Sequence, residues 1–285
     1  MSTPNAAAPP ATTPTTAAAG LRLTGTRLLR SELLRFVTVR SNLLTLGALA
    51  ALMVVIGLVA SATATGQVES VAPGGGPGPG FAGGDPLTTV LAGQTPGVLV
   101  VGILGVLVGA REYGSGMIRT TMAAAPRRIG VLLARIGAFL TVVLPVVMVA
   151  TLAAWALGTA VLTAGDADVA AWSDPGVPRA VIGTALYLTG IGALGVCLGM
   201  LTRSIGQGIG WLVGLVLVVP GFGALLLPDD WQDALRYLPS NAGAAFTSIT
   251  ESADRLDPGP GALVFGTWLA LAVGGALAGL LRRDV

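Results

Sequence analysis

The sequence contains no histidine, and all 16 of its basic residues are arginine, so lysine is absent too. Without lysine the chain cannot supply the GxxxxGK[ST] phosphate-binding loop of an ATPase. Without histidine it cannot form a histidine-based catalytic triad or a histidine-containing zinc or haem site. Its one cysteine, Cys197, cannot form an internal disulfide or a thiolate cluster. We therefore expect no catalytic residues, no metal site and no cofactor bound by this chain.

Charged residues are scarce as well. They make up 11% of the 285 residues, whereas a soluble domain carries roughly 25%. Hydrophobic residues reach 53%, and the mean hydropathy is +0.80. The net charge of +2 gives no indication of a nucleic-acid partner. This composition excludes a water-soluble globular protein and predicts a polytopic membrane protein.

Six apolar stretches are long enough to cross a bilayer, which takes about 20 residues of helix. Because lipid offers no hydrogen-bond partners, each stretch should be helical, and the fold class is all-α integral membrane. No ionisable side chain lies inside these stretches, and glycines at spacings of three or four predict close helix packing. The predicted spans are 43–62, 88–110, 136–163, 180–202, 204–227 and 261–281, and the glycines are Gly102, Gly105 and Gly109, and Gly206, Gly210 and Gly214.

The arginines predict the orientation, because basic residues near span ends stay in the cytoplasm. Six spans place 13 of the 16 arginines, but only 3 of the 14 acidic residues, on the side of the amino terminus. We therefore expect a multi-pass protein of the plasma membrane with both termini in the cytoplasm. Residues 1–20, rich in alanine, threonine and proline, predict a disordered cytoplasmic tail, and residues 21–285 form the membrane domain.

Two segments outside the spans have amphipathic character. Residues 21–40 carry Leu29, Leu33 and Phe36 at helical spacing, which predicts an amphipathic helix on the membrane surface. The alternative is an ordinary basic flank that sets the topology. The segment 228–260 has a mildly amphipathic order that predicts one or two short outer helices before the sixth span. The residues of the first helix that would face anionic headgroups are Arg27, Arg30 and Arg35.

The segment between the second and third spans has the form of a short interrupted helical element. Its glycines permit a tight bend after the span, and two apolar residues four apart give it one apolar side. A proline then favours a fresh helix start, and two arginines keep the segment in the cytoplasm. These residues are, in that order, Gly114 and Gly116, Ile118 and Met122, and Pro126, Arg127 and Arg128.

The pattern Glu-x-x-x-Gly-x-Ile-Arg-x-Thr-x-x-x-x-Pro-Arg-Arg at 112–128 resembles the cytoplasmic loop of ABC transporter permeases of the second exporter class. The resemblance extends to the six spans, the amphipathic helix and the long outer segment; Met117 stands where that family commonly has threonine. It implies a coupling helix seated in a cleft of a separate ATP-binding subunit. The residues it assigns to this contact are Glu112, Tyr113, Gly114, Gly116, Ile118, Arg119, Met122, Pro126, Arg127 and Arg128.

The resemblance implies a permease subunit of an ATP-driven exporter, without an ATPase site of its own. Its partners would be an ATP-binding cassette subunit that carries ATP and Mg²⁺, a second copy or a similar permease, and membrane lipid. The apolar pathway suits an amphipathic cargo such as a drug, an antibiotic or a lipid. Two alternatives stay open: an ion-coupled secondary transporter, which needs ionisable groups in the membrane, and a non-transporting assembly or sensing protein.

Overall fold

The computed structural model describes residues 25–68, 85–114, 128–226, 228, 233–250 and 255–282. Six of its helices are long and apolar enough to cross a membrane, so the chain is a multi-pass membrane protein. We name these helices spans 1 to 6. Their bounds are Arg40–Ala64, Gln94–Gly114, Arg128–Ala164, Val177–Thr202, Ile205–Leu226 and Pro258–Arg282, where span 5 joins three consecutive helical segments.

Shorter helices connect the spans. The N-terminal helix, Gly25–Thr38, is separated from span 1 by Val39, whose backbone is extended. A five-residue helix, Pro86–Val90, precedes span 2. Before span 6 come a 3₁₀ turn, Asp233–Tyr237, and a helix, Pro239–Thr247. The predicted tail 1–20 lies outside the described residues.

The second span differs from its prediction, which ran without a break from residue 88. The helix that begins at Pro86 ends at Val90, and span 2 starts only at Gln94. A Cβ atom on Gly93 would lie 2.5 Å from Cα of Met53 in span 1. The break between the two helices lies where span 1 approaches Gly93 closely. This contact joins residues far apart in the chain, so the hydropathy of the surrounding sequence does not reveal it.

Spans 2 and 4 form the closest helix pair and run parallel to each other. Both carry the pattern Gly-x-Leu-Gly-Val-x-x-Gly, at 102–109 and at 192–199. A Cβ on Gly105 would lie 2.0 Å from the carbonyl oxygen of Gly192, and one on Gly195 would lie 2.3 Å from that of Gly102. Only glycine allows the two backbones to approach so closely. Span 4, 83% buried over its most apolar window, is therefore the centre of the bundle.

Spans 1 and 3 form the second large interface and are also parallel. Gly57 faces Ala154, Ser61 faces Gly158 and Thr65 faces Gly165, an offset of roughly 100 residues. The same offset places Arg40, where span 1 begins, beside residues near 140. Since a helix rises about 1.5 Å per residue, span 3 extends roughly 15 Å beyond that level. Span 3 starts at Arg128 rather than at residue 136 as predicted.

Two ends of the bundle can thus be distinguished. We call the end with Arg40, Arg111 and Arg282 the arginine-rich end, and the opposite one, with Asp85 and Asp257, the acidic end. At the acidic end Asp85 caps the helix Pro86–Val90 by accepting hydrogen bonds from the backbone N–H and the hydroxyl of Thr88. Its other oxygen accepts from the Thr250 hydroxyl at 2.5 Å, which ties this helix to the segment before span 6.

The helix Pro239–Thr247 lies in the segment 228–260, for which short helices are predicted. It packs between spans 4 and 6, where Phe246 meets Tyr187 and Phe265 at ring-centroid distances of 6.4 and 5.9 Å. A Cβ on Gly243 would lie 2.3 Å from the Tyr187 ring. The glycine lets this helix enter among the spans, so its buried face is used for packing within the bundle.

Span 5 is only 17% buried over its most apolar window. Its middle turn, Gly214–Val218, is a π-helix. The second predicted glycine series lies on this span, but no described atom comes within 4 Å of a Cβ built on Gly206, Gly210 or Gly214. The prediction of close packing is therefore confirmed for span 2, whereas for the series in span 5 the described residues provide no partner and it stays a prediction.

Candidate functional site

The sequence-predicted site lies only partly within the described residues. Glu112, Tyr113 and Gly114 form the last turn of span 2, and Arg128 begins span 3. The predicted coupling residues between these helices, Gly116, Ile118, Arg119, Met122, Pro126 and Arg127, lie outside the described residues. Span 2 ends and span 3 begins at the arginine-rich end, so the connection between them starts and finishes there.

A buried ion pair joins the N-terminal helix to span 3 beside this connection. Arg135 is only 2% exposed, and its Nε lies 3.4 Å from Oε2 of Glu32, whose side chain is 11% exposed. Arg35 reaches the other Glu32 oxygen at 4.0 Å. Burying charges is costly unless they are paired. This pair therefore fixes the N-terminal helix against span 3 with more specificity than apolar packing alone would give.

Apolar contacts support the same junction. Phe36 on the N-terminal helix packs edge-on against Phe139 of span 3, with ring centroids 6.0 Å apart. Asn42, near the start of span 1, is 3% exposed and donates a hydrogen bond from Nδ2 to the Phe36 carbonyl. The side chain of Asn42 therefore holds the bend at Val39, where the chain passes from the N-terminal helix into span 1.

The ends of spans 2 and 4 also meet at this level. The guanidinium carbon of Arg203 lies 5.5 Å from the centre of the Tyr113 ring, within reach of a cation–π interaction. Arg203 has a left-handed backbone (φ 56°) and ends span 4. Tyr113, assigned to the coupling site by resemblance, thus contacts the neighbouring span in this structure.

Electrostatic coupling extends across the cluster. Burial lowers the pKa of Arg35, the positive charges of Arg135 and Arg111 lower it further, and Glu32 partly opposes them. Arg35 therefore lies near enough to Arg135 and Arg111 to be repelled by both. Arg35, predicted to face lipid headgroups, is half-buried in this cluster, whereas Arg27 and Arg30 are exposed on the same helix. Contact of these three arginines with headgroups stays a prediction.

Sequence reasoning missed Arg135 and Asn42 as members of this cluster. The third span is predicted to start at residue 136, directly after Arg135, because a charged residue normally marks the end of a span. The signal was present in helical spacing: Leu132, Phe139 and Val143 lie on one stripe with Arg135, and all are buried. An arginine on a buried stripe needs a partner, and Glu32 is the partner that the structure provides.

A scan against protein-family models finds no match to this sequence, and a search of curated proteins finds no similar chain.

Proposed function

We propose that this chain is the transmembrane permease subunit of an ATP-driven exporter, with the arginine-rich end in the cytoplasm. In this proposal the segment 112–128 is the coupling element that contacts a separate ATP-binding subunit. The pattern at 112–128 and its resemblance to permeases of the second exporter class suggest this role. ATP and Mg²⁺ would bind to the partner.

One geometric observation supports it above the others. Span 3 continues roughly 15 Å beyond the start of span 1, and the connection from span 2 begins beyond Arg111 at the same end. A segment that starts and finishes outside the apolar layer can contact a water-soluble partner. The N-terminal helix, held by Glu32 and Arg135, stiffens the base of that connection.

The charges favour this proposal over an ion-coupled transporter. Among the described residues, the one acidic residue within spans 1 to 6 is Glu112, in the last turn of span 2 at the arginine-rich end. Arg135 lies at the same end rather than at mid-depth. Proton-coupled transporters carry ionisable groups inside the membrane to bind and release the proton. An arginine that is paired with Glu32 is poorly suited to that task, because a guanidinium does not lose its proton in proteins.

A second copy or a similar permease is part of the proposal. The face of span 5 with Gly206, Gly210 and Gly214 has no neighbour among the described residues, and Trp211 beside it is 68% exposed. Small residues at four-residue spacing are typical of helix association in membranes. We propose that a substrate pathway forms between two such chains, with an amphipathic or hydrophobic cargo such as a drug or antibiotic.

The test is purification of the tagged chain from its native membrane, followed by measurement of associated Mg²⁺-dependent ATP hydrolysis. We expect Ile118→Asp and Met122→Asp to abolish that activity, because a buried charge costs several kcal/mol at an apolar contact, on the order of a hundredfold or more in affinity. Val169→Asp, an apolar-to-acidic change at the acidic end, is the matched control and should leave it unchanged.

Two results would contradict the proposal. One is unaltered ATP hydrolysis in both coupling-segment variants. The other is transport by the purified chain alone, reconstituted in vesicles and driven by a proton gradient without any ATP-binding subunit. Light scattering on the same preparation measures whether the chain is present in two copies.

A further inference from the structure

The arginine-rich end contains a cleft that the proposed coupling role does not use. It lies between the N-terminal helix, the start of span 1, and spans 2 and 3. Its charged lining consists of Arg35, Arg111, Arg135 and Glu32, and Asn42 and Phe36 also face it. The cleft therefore combines three guanidinium groups from three different helices with an apolar wall.

The cleft has an excess of positive charge. Three arginines face one glutamate, and adding the formal charge of Glu112, next to Arg111 in the sequence, still leaves a positive excess. Burial is the main cause that lowers the pKa of Arg35, and repulsion by Arg135 and Arg111 lowers it further, while Glu32 opposes them. An anion held between the arginines would reduce that repulsion. Guanidinium groups are well suited to phosphate, because their N–H donors match its oxygens.

Asn42 adds a second, independent indication. Its side chain is 3% exposed, and its Oδ1 has no hydrogen-bond donor among the described residues. Its Nδ2 donates to the Phe36 carbonyl, and the residue lines the cleft, so its buried oxygen is an acceptor that lies beside the cleft. A buried acceptor without a donor is costly. A ligand that brings a hydroxyl group next to its phosphate would satisfy it.

The depth of the cleft indicates where such a ligand comes from. Arg40 begins span 1, and the register between spans 1 and 3 places Arg135 within a few residues of the same level. This is the level of the lipid headgroups at the end of an apolar span. Basic pockets between transmembrane helices at this depth bind the headgroups of anionic lipids.

We propose that this cleft binds the phosphate of an anionic phospholipid whose headgroup carries a hydroxyl, of the phosphatidylglycerol type. Arg35, Arg111 and Arg135 surround the phosphate, and Asn42 accepts the headgroup hydroxyl. Such a lipid joins the N-terminal helix to spans 2 and 3 and stabilises the junction at which the connection 115–127 begins. The site needs no nucleotide and no partner subunit, so it stands whether or not the chain is an exporter.

The experiment is a lipid titration of the full chain in detergent, followed by native mass spectrometry. Phosphatidylglycerol, phosphatidylcholine and inorganic phosphate are the three probes. We expect phosphatidylglycerol alone to bind at low concentration. Arg111→Gln should weaken its affinity about fivefold, which corresponds to one arginine–phosphate contact near a membrane surface. Arg30→Gln, an exposed arginine on the same N-terminal helix, is the matched control and should stay within about twofold.

A second pair of variants leaves every arginine in place. It tests the same cleft independently, in case Arg111→Gln binds poorly only because it is misfolded. Val39 lines the cleft between the N-terminal helix and span 1. Val39→Glu adds a carboxylate that competes with the phosphate, and we expect it to weaken binding of phosphatidylglycerol at least as much as Arg111→Gln. Val39→Gln has nearly the same shape without the charge and should bind as the wild type does.

Three outcomes would overturn the proposal. Equal binding of phosphatidylcholine, whose headgroup has no net charge, would show that the cleft does not recognise the net negative charge of the lipid. Equal losses in Arg30→Gln and Arg111→Gln, or in Val39→Gln and Val39→Glu, would show diffuse attraction rather than a site. Displacement of the lipid by micromolar inorganic phosphate would show that the cleft binds a free anion instead.

Discussion

Replacing Glu32 by glutamine tests how the N-terminal helix is held. The change removes one charge from a buried pair and leaves the shape of the side chain nearly intact. Arg135, whose side chain is 2% exposed, then loses the carboxylate partner that Glu32 provides. We expect the N-terminal helix to detach from span 3 more often, while the six spans stay folded.

The size of the effect follows from the geometry. At 3.4 Å, an effective dielectric constant of about 20 gives a Coulomb attraction of about 5 kcal/mol. Removing one partner of a buried pair costs about 3–5 kcal/mol. Because Arg135 has further interactions besides Glu32, we take the lower figure, about 3 kcal/mol, which corresponds to an opening equilibrium on the order of a hundredfold larger.

The assay is maleimide labelling of a cysteine placed under the N-terminal helix. Ala138→Cys is a small change at a buried position in the cleft, and it is made together with Cys197→Ala to remove the native thiol. When opening and closing are fast relative to labelling, the labelling rate is proportional to the open population. We therefore expect Glu32→Gln to raise that rate by about two orders of magnitude.

Arg30→Gln on the same background is the control, since Arg30 is exposed and lies outside the cleft. Its labelling rate should match that of the parent protein. An unchanged rate in Glu32→Gln would refute the reasoning, because the ion pair would then contribute nothing to docking. Equal increases in both variants would also refute it, by showing a general effect of charge on the helix.

Two further predictions concern stability. Gly105→Ala would place a Cβ 2.0 Å from the Gly192 carbonyl oxygen, so we expect a loss of about 1–3 kcal/mol in thermal unfolding, whereas Gly266→Ala in span 6, with open space around it, should change little. Asp85→Ala should cost about 1–2 kcal/mol at neutral pH, measured as a lower Tm. Burial raises the pKa of Asp85, but hydrogen bonds from Thr250 and others outweigh it and leave the pKa below 3.8. The stabilisation is therefore complete above pH 3.8 and is lost as the pH falls through the lowered value, so the two proteins should converge in acid; a difference that grows in acid would contradict this sign.

The six spans could be predicted because they depend on a sum over many residues. An apolar run of about 20 residues identifies a span even when its ends are misjudged. The helix of span 3 begins at Arg128, before the predicted apolar stretch, because the charge of Arg135 ends the apolar run without ending the helix. A local pattern records charge, but it does not record that Glu32, about 100 residues earlier, neutralises it.

The glycine patterns show a different limit. The glycines of span 2 and those of span 5 have similar spacing, yet among the described residues a close neighbour is found for the first series and not for the second. Spacing predicts that a helix face can be approached closely, but the partner is chosen by the whole bundle. The partner of span 2 carries the same Gly-x-Leu-Gly-Val-x-x-Gly pattern at 192–199, and comparing the two segments would have indicated the pair.

The pairing of the spans gives the connection 115–127 a specific mechanical position. Spans 2 and 4 form one close-packed parallel pair, and spans 1 and 3 form the other. The connection joins span 2 to span 3, so it links the two pairs at the arginine-rich end. Packed helix pairs move as rigid bodies more readily than they deform. Under the proposed coupling role, a force applied at the connection would act on both pairs at once, and the Glu32–Arg135 contact links span 3 to the N-terminal helix, which we expect to move with it.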